Sequence, residues 1–202
     1  MLSLKERVEW LESELPPNPA RFQVHSALPF AILCYDPDEE WELRRQATLL
    51  ASRLQNRGRS VVTVSLAEIL WQAIDEAEPD GRERIFAKER AEGFAAAQAQ
   101  VTRYLSDDPR APSHRGFLFL PDLLVRRLAA LDPSRHIAFL TRAAALAPHI
   151  YQVSQLLDQM QGRAVVPTVL FYPGHKEGAN DLVFMNLPGR DAHGTYRVRI
   201  YA

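Results

Sequence analysis

The chain reads as an α/β protein: an open, mostly parallel β-sheet flanked by helices, with antiparallel strands near the C-terminus. Three features carry this reading. Four short apolar runs rich in β-branched and aromatic residues look like strands buried on both faces of a sheet. Stretches with helical periodicity separate them, each long enough to return the chain for a parallel pairing. Towards the C-terminus the pattern changes, because Asp181–Asn186 and Thr195–Tyr201 are joined through PGRDAHG, a connection too short for a helix, and read as an antiparallel pair. With 47% apolar residues among 202, the chain can bury one substantial core, so a single domain over 1–202 is expected.

Leu4, Val8, Leu11 and Leu15 recur at helical spacing among Glu and Lys. Leu2–Leu15 is therefore expected to be an amphipathic helix that stops at Pro16-Pro17 and buries its stripe against its own sheet or in a partner's groove. Pro29–Tyr35, PFAILCY, is the first strand. Asp36-Pro37-Asp38 ends it, and either aspartate can cap the helix that follows. That helix carries Trp41, Leu49, Leu50 and Leu54 and stops at Gly58. Ser60–Leu66 is the second strand, which makes Pro29–Leu66 a β-α-β unit.

Helical pattern covers Ala67–Ala77, breaks at Pro79-Asp80-Gly81 and resumes from about Glu83 to Leu105. Asp107–His114 has loop composition, and Leu118–Leu131 is helical with Pro121 in its first turn. Arg135–Thr141 is the third strand. A helix over Ala144–Gly162 follows, with Pro148 near its start and Ile150, Val153, Leu156 and Leu157 facing inward. Ala164–Tyr172 is the fourth strand, and PGHKEG at 173–178 reads as a solvated hairpin turn.

Charge and cysteine content exclude several classes. A net charge of −1 spreads no basic field for nucleic acid, so direct DNA binding is not expected. Tyr196–Tyr201 alternates as any half-exposed strand does, rather than forming a stacking platform for bases. Cys34 stands alone, which excludes an internal disulfide and a multi-cysteine zinc site and makes it a small core residue. MLSLKERVEWLESEL is charged throughout, unlike a signal peptide, and no segment approaches the roughly 20 apolar residues of a membrane span. A cytoplasmic protein is expected.

Open α/β sheets take ligands in the crevice beyond the carboxyl ends of their strands. Those ends here are Asp36-Pro37-Asp38, Ser65, Thr141-Arg142 and Pro173-Gly174-His175. The first turn, YDPDEE, has neither glycine nor a phosphate-binding lysine, and its four carboxylates oppose an anion. The fold is thus Rossmann-like without a phosphate-binding loop. Asp36 reads as a cap, with metal ligation as the alternative. None of the six histidines falls in H-x-x-x-H or H-E-x-x-H, there is no G-x-S-x-G, and Ser65 has no base partner in the sequence. No catalytic residue, metal site or cofactor is assigned. The crevice candidates for a ligand or partner are Asp36, Thr141, Arg142, His149 and His175. Thr141, Arg142 and His149 read as surface or capping residues, with binding of an acidic group as the alternative.

PFAILCYDPDEEWELRR, GRSVVTVSLAEIL, HIAFLTRAAALAPHIYQVSQLLDQMQG, VPTVLFYPGHKEG and YRVRIY follow one another over roughly Pro29 to Tyr201. In this order they resemble the BrxB family of bacteriophage exclusion (BREX) defence systems. Family members tend to carry glycines after the third strand, in a pattern like L-T-G-x-G, where this chain has Leu140-Thr141-Arg142-Ala143-Ala144. The resemblance brings no catalytic residues. It implies company, since BREX gene sets also encode a large ATPase, an adenine-specific DNA methyltransferase and a PglZ-type, alkaline-phosphatase-like protein. A non-catalytic scaffold or adaptor that binds one of them, the PglZ-type protein first, is the implied role. The competing reading is a nucleotide- or metal-dependent enzyme working in the crevice.

Overall fold

A computed structural model describes residues 2–16, 19–25, 29–105, 120–146, 150–178, 181–186 and 198–202. Six strands make one sheet: β1 (Phe30–Tyr35), β2 (Ser60–Ser65), β3 (His136–Thr141), β4 (Thr168–Glu177), β5 (Asp181–Phe184) and β6 (Arg199–Tyr201). The order is β2-β3-β4-β1-β6, with every neighbouring pair parallel, and β5 adds antiparallel to the far end of β4. The mostly parallel α/β sheet is therefore as expected. β4 is its central strand, and beside it β1 has all six residues FAILCY buried, as a continuous apolar run requires when helices cover both faces. At the edge, β2 leaves Ser60 and Thr63 exposed.

The helices are α1 (Leu4–Glu14), α2 (Arg21–His25), α3 (Glu40–Asn56), α4 (Leu66–Ala77), α5 (Gly81–Glu92), α6 (Phe94–Leu105), α7 (Leu120–Ala129) and α8 (Val153–Gln159). Alternation along β1 divides two cores. Ala31, Leu33 and Tyr35 face the side covered by α1 and α3, while Ile32 and Cys34 face α4, α6, α7 and α8.

α1 begins with a capping box: Glu6 N–H donates to Ser3 Oγ at 3.3 Å, and Ser3 N–H donates to Glu6 Oε2 at 2.8 Å. Leu4, Val8 and Leu11, with Leu15 just beyond the helix, are at most 2% exposed. Burying four such side chains contributes about 1.5–3 kcal/mol each. Arg7 fastens the helix to the end of β1, donating from a guanidinium nitrogen to the Cys34 carbonyl at 2.6 Å. Of the two expectations for the α1 stripe, docking on its own sheet is the one realised.

Several boundaries differ from the sequence reading. β1 and β2 do run parallel, but β3 and β4 lie between them. The expected antiparallel pair does not form, because β5 pairs with β4 and β6 extends the parallel sheet beside β1, where Tyr201 packs edge-on against Trp10 at 5.0 Å. Pro173-Gly174 does not end the fourth strand. β4 continues to Glu177 because Gly174, at φ 142, lets the backbone of β5 approach so closely that a Cβ would lie 1.9 Å from the Val183 oxygen. The chain leaves the ladder at Gly178 instead, with φ 60.

The helix expected over 83–105 is broken at Gly93, φ 87, into α5 and α6. After β3 a short 3-10 turn, Ala143–Leu146, precedes α8, which starts only at Val153. Leu66 belongs to α4, whose first turn Ser65 caps, rather than to β2. Most of the fourth strand's expected start, 164–167, precedes the ladder that opens at Thr168. Pro121 sits in the first turn of α7, as expected, while Asp107–His114 and Pro148 lie outside the described residues.

Candidate functional site

At the carboxyl end of β1, Asp36 accepts from the Asp38 N–H at 3.0 Å and so caps the 3-10 turn Pro37–Glu39 that leads into α3. Its other oxygen accepts from Asn186 Nδ2 at 3.1 Å. The Asn186 Oδ1 is 2.7 Å from His175 Nδ1. With the amide donating to Asp36, its oxygen must accept, which assigns the proton of a neutral His175 ring to Nδ1. Met185 and Asn186 hold φ 55 and 52, a left-handed pair that turns the chain back at the end of β5.

Across the cleft, Tyr35 at the end of β1 donates its hydroxyl to Glu40 Oε2 at 2.5 Å, and Arg44 Nε donates to Glu40 Oε1 at 2.8 Å. Burial, reinforced by the Glu40 carboxylate, pushes the Tyr35 phenol well above its usual range. Glu40 and Arg44 meet because they are four residues apart on α3. The Arg44 guanidinium also lies 4.9 Å from the centroid of the Trp41 ring. Of the carboxylates expected to repel an anion, Glu40 is thus neutralised locally and Glu39 pairs with Arg7 at 3.4 Å.

Arg142 follows β3 with φ 58 in an exposed position; its carbonyl accepts from the Ala145 N–H at 3.0 Å, while its side chain makes no hydrogen bond or ion pair with a described residue. The left-handed conformation costs a non-glycine residue roughly 1–2 kcal/mol. This is the first glycine position of the L-T-G-x-G pattern, so the arginine holds a conformation that glycine takes freely.

Two adjoining cavities, of about 450 and 480 Å³, share Tyr35, Glu40, Arg44 and Arg142. The first runs over Phe139 and Phe171, edge-to-face at 5.1 Å, to Thr63 on the sheet edge. The second lies among Ala67, Ala145, Pro173 and Met185.

Among the sequence candidates, Asp36 and His175 are joined through Asn186, while Thr141, opposite Ser65 in register, lines the first cavity and Arg142 lines both. His149 lies outside the described residues. Pro37 and Met185, next in sequence to Asp36 and Asn186, line the second cavity, so both groups border one cleft. Sequence reasoning missed Tyr35, Glu40, Arg44 and Asn186. The i,i+4 spacing of Glu40 and Arg44 directly after a strand was the available signal. Cys34 is fully buried and its thiol is pushed up to about 12 by desolvation, against the positive fields of Arg7 and Lys176, which makes it inert. Ser65 accepts from the Glu68 N–H at 3.3 Å as the cap of α4. No group of three or more His, Cys, Asp or Glu able to hold a metal occurs among the described residues.

Fold and cleft define an α/β protein with a parallel sheet between helical layers and an arginine-lined cleft at the carboxyl ends of its strands. The sequence profile of the family described as BREX protein BrxB matches residues 62–200, and the chain belongs to that family, a component of BREX antiphage systems. The match runs from Val62 within β2 to Ile200 within β6 and takes in Arg142, while Tyr35, Glu40 and Arg44 precede it. No curated protein and no solved structure matches the chain. Among the described residues, no helix is long and apolar enough to cross a membrane.

Proposed function

We propose that the chain is a non-catalytic scaffold or adaptor subunit of a BREX-type antiphage complex, working in the cytoplasm as one domain. Its partner is another component of the system, the PglZ-type phosphatase-like protein ahead of the methyltransferase and the ATPase. Family membership over residues 62–200 carries this reading, because the family belongs to a multi-protein system. The cleft supports it: Tyr35, Arg44 and Arg142 in its lining, with Trp41 stacked against Arg44, are the residue types that dominate binding energy at protein interfaces. Tagged chain, expressed with the remaining BREX genes and purified at gentle salt, is expected to retain one of their products. Retention of none overturns the reading.

A second reading, a nucleotide- or metal-dependent enzyme, is supported by the position of the cavity of about 450 Å³ at the strands' carboxyl ends. Thermal denaturation with nucleotides and divalent ions discriminates, since a tight ligand at saturation adds about 3–4 kcal/mol to apparent stability. An unmoved transition with every ligand removes the enzyme.

A further inference from the structure

We infer that the cleft between α3 and the ends of β1, β3 and β4 is a docking trough for an extended acidic segment of another protein. The segment's carboxylate sits between Arg44 and Arg142, and a neighbouring apolar side chain enters the lobe floored by Phe139 and Phe171. This rests on the adaptor reading and names the surface through which the subunit holds its partner.

Shape is the first support. Each lobe, at about 450 and 480 Å³, is already of a size to hold a small ligand by itself. The two are open and meet at Tyr35, Glu40, Arg44 and Arg142, which suits a chain passing through better than a compact molecule. Charge is the second. At the waist, two arginines and one carboxylate line both lobes, and that carboxylate already accepts from Tyr35 and Arg44. The surplus is one positive charge, with Arg44 held in place by Glu40 and by the Trp41 ring. Trp41 itself is 78% exposed beside it, an aromatic rim that a folded monomer has no internal need for.

The third support is Arg142. Its side chain returns no hydrogen bond or ion pair to the described residues, yet the backbone bears a left-handed conformation that glycine would relieve. Among the described residues the guanidinium is left available to a ligand, and a carboxylate is its natural bidentate partner.

Arg142→Gly is the decisive variant, because it removes the side chain while relaxing the backbone. It should melt at the same temperature as the wild type or higher, yet retain the co-expressed BREX partner at least about tenfold more weakly. Arg142→Glu should weaken retention further, whereas Arg126→Glu on α7, with the same charge change but outside the trough, should not. Peptides tiling the retained partner identify the segment: those that bind should carry Asp or Glu beside an aromatic or aliphatic residue. Replacing that acid by Lys should abolish binding to the wild type and restore it to Arg142→Glu. Undiminished retention by Arg142→Gly and Arg142→Glu overturns the trough and leaves the adaptor reading standing. Retention of no component by the wild type removes both.

Discussion

Asn186 donates from Nδ2 to Asp36 at 3.1 Å, closing a contact between residues 150 positions apart. The same amide accepts from His175, so one side chain at the end of β5 ties together the ends of β1 and β4. β1 and β4 pair over their whole common length, from Phe30 opposite Thr168 to Tyr35 opposite Pro173, and the amide continues that pairing where the ladder stops. It thereby sets one wall of the cleft, beside Met185 and Pro173.

Two substitutions at Asn186 separate its backbone role from its side-chain role. Asn186→Gly keeps the left-handed φ of 52 and deletes the amide, whose bonds are exposed, so stability should fall by only about 0.5–1 kcal/mol. Asn186→Val deletes the same bonds and adds a β-branched residue at positive φ, so it should lose about 1–2 kcal/mol more. Urea midpoints measure both, and equal losses would refute the backbone role.

Gly174 is the least replaceable residue of the PGHKEG stretch. At Gly174→Ala the new methyl meets the Val183 carbonyl, backbone against backbone, and the φ of 142 is hostile to any L side chain. A loss of about 3 kcal/mol or more is expected, with release of β5. His175→Ala and Lys176→Ala, on a half-buried and an exposed residue, should stay within about 0.5–1 kcal/mol. Thermal melts rank the three. Phage resistance assayed alongside reports whether the His175 imidazole has a chemical role, which loss of resistance in a folded, complex-forming His175→Ala would establish.

Much of this architecture was legible because burial leaves local signatures. FAILCY could hardly be anything but a doubly covered strand, and the α1 stripe of Leu4, Val8, Leu11 and Leu15 specified a buried face. Pairing was not legible, since nothing near Arg199–Tyr201 records that its partner is Ala31–Leu33. Pro173-Gly174 misled for a physical reason: glycine serves close backbone approach as readily as it serves a turn, and composition does not distinguish the two. At the site, Arg142 and Thr141 were found because strand ends are where open sheets bind. Arg44 and Glu40 looked like an ordinary solvated i,i+4 pair, and only the placement of α3 over the end of β1 brings Tyr35 to them.

Two further changes test the core beneath the cleft. Val169 is fully buried between Phe139 and the α1–α3 layer, so Val169→Asp should cost several kcal/mol out of a total of about 5–15 and yield little folded protein. Deletion of Met1–Leu15 strips Leu33 and Tyr201 of their cover and should likewise abolish the cooperative unfolding transition. A stable, cooperatively melting deletion product would contradict the internal docking of α1.

The final prediction concerns pH and the contact between α1 and β6. Glu14 is 13% exposed at its side chain and accepts from Tyr201 at 2.7 Å and from Arg199 and Trp10, each at 3.0 Å. Burial alone would raise its carboxyl, but these donors outweigh burial and hold it below the usual carboxylate range. A carboxyl depressed in the fold releases its proton more readily there than in the unfolded chain, where the value is about 4.3. Its stabilisation is therefore complete above that unfolded value and disappears as pH falls through the lower folded one. Glu14→Gln should lose about 1–2 kcal/mol at neutral pH, because charged acceptors make the stronger hydrogen bonds. The loss should shrink as pH falls below the unfolded value of about 4.3 and on through the lower folded one. Urea unfolding of both across that range measures the difference, and a gap that stays constant from neutral to acid pH would show that the Glu14 charge does not hold α1 to β6.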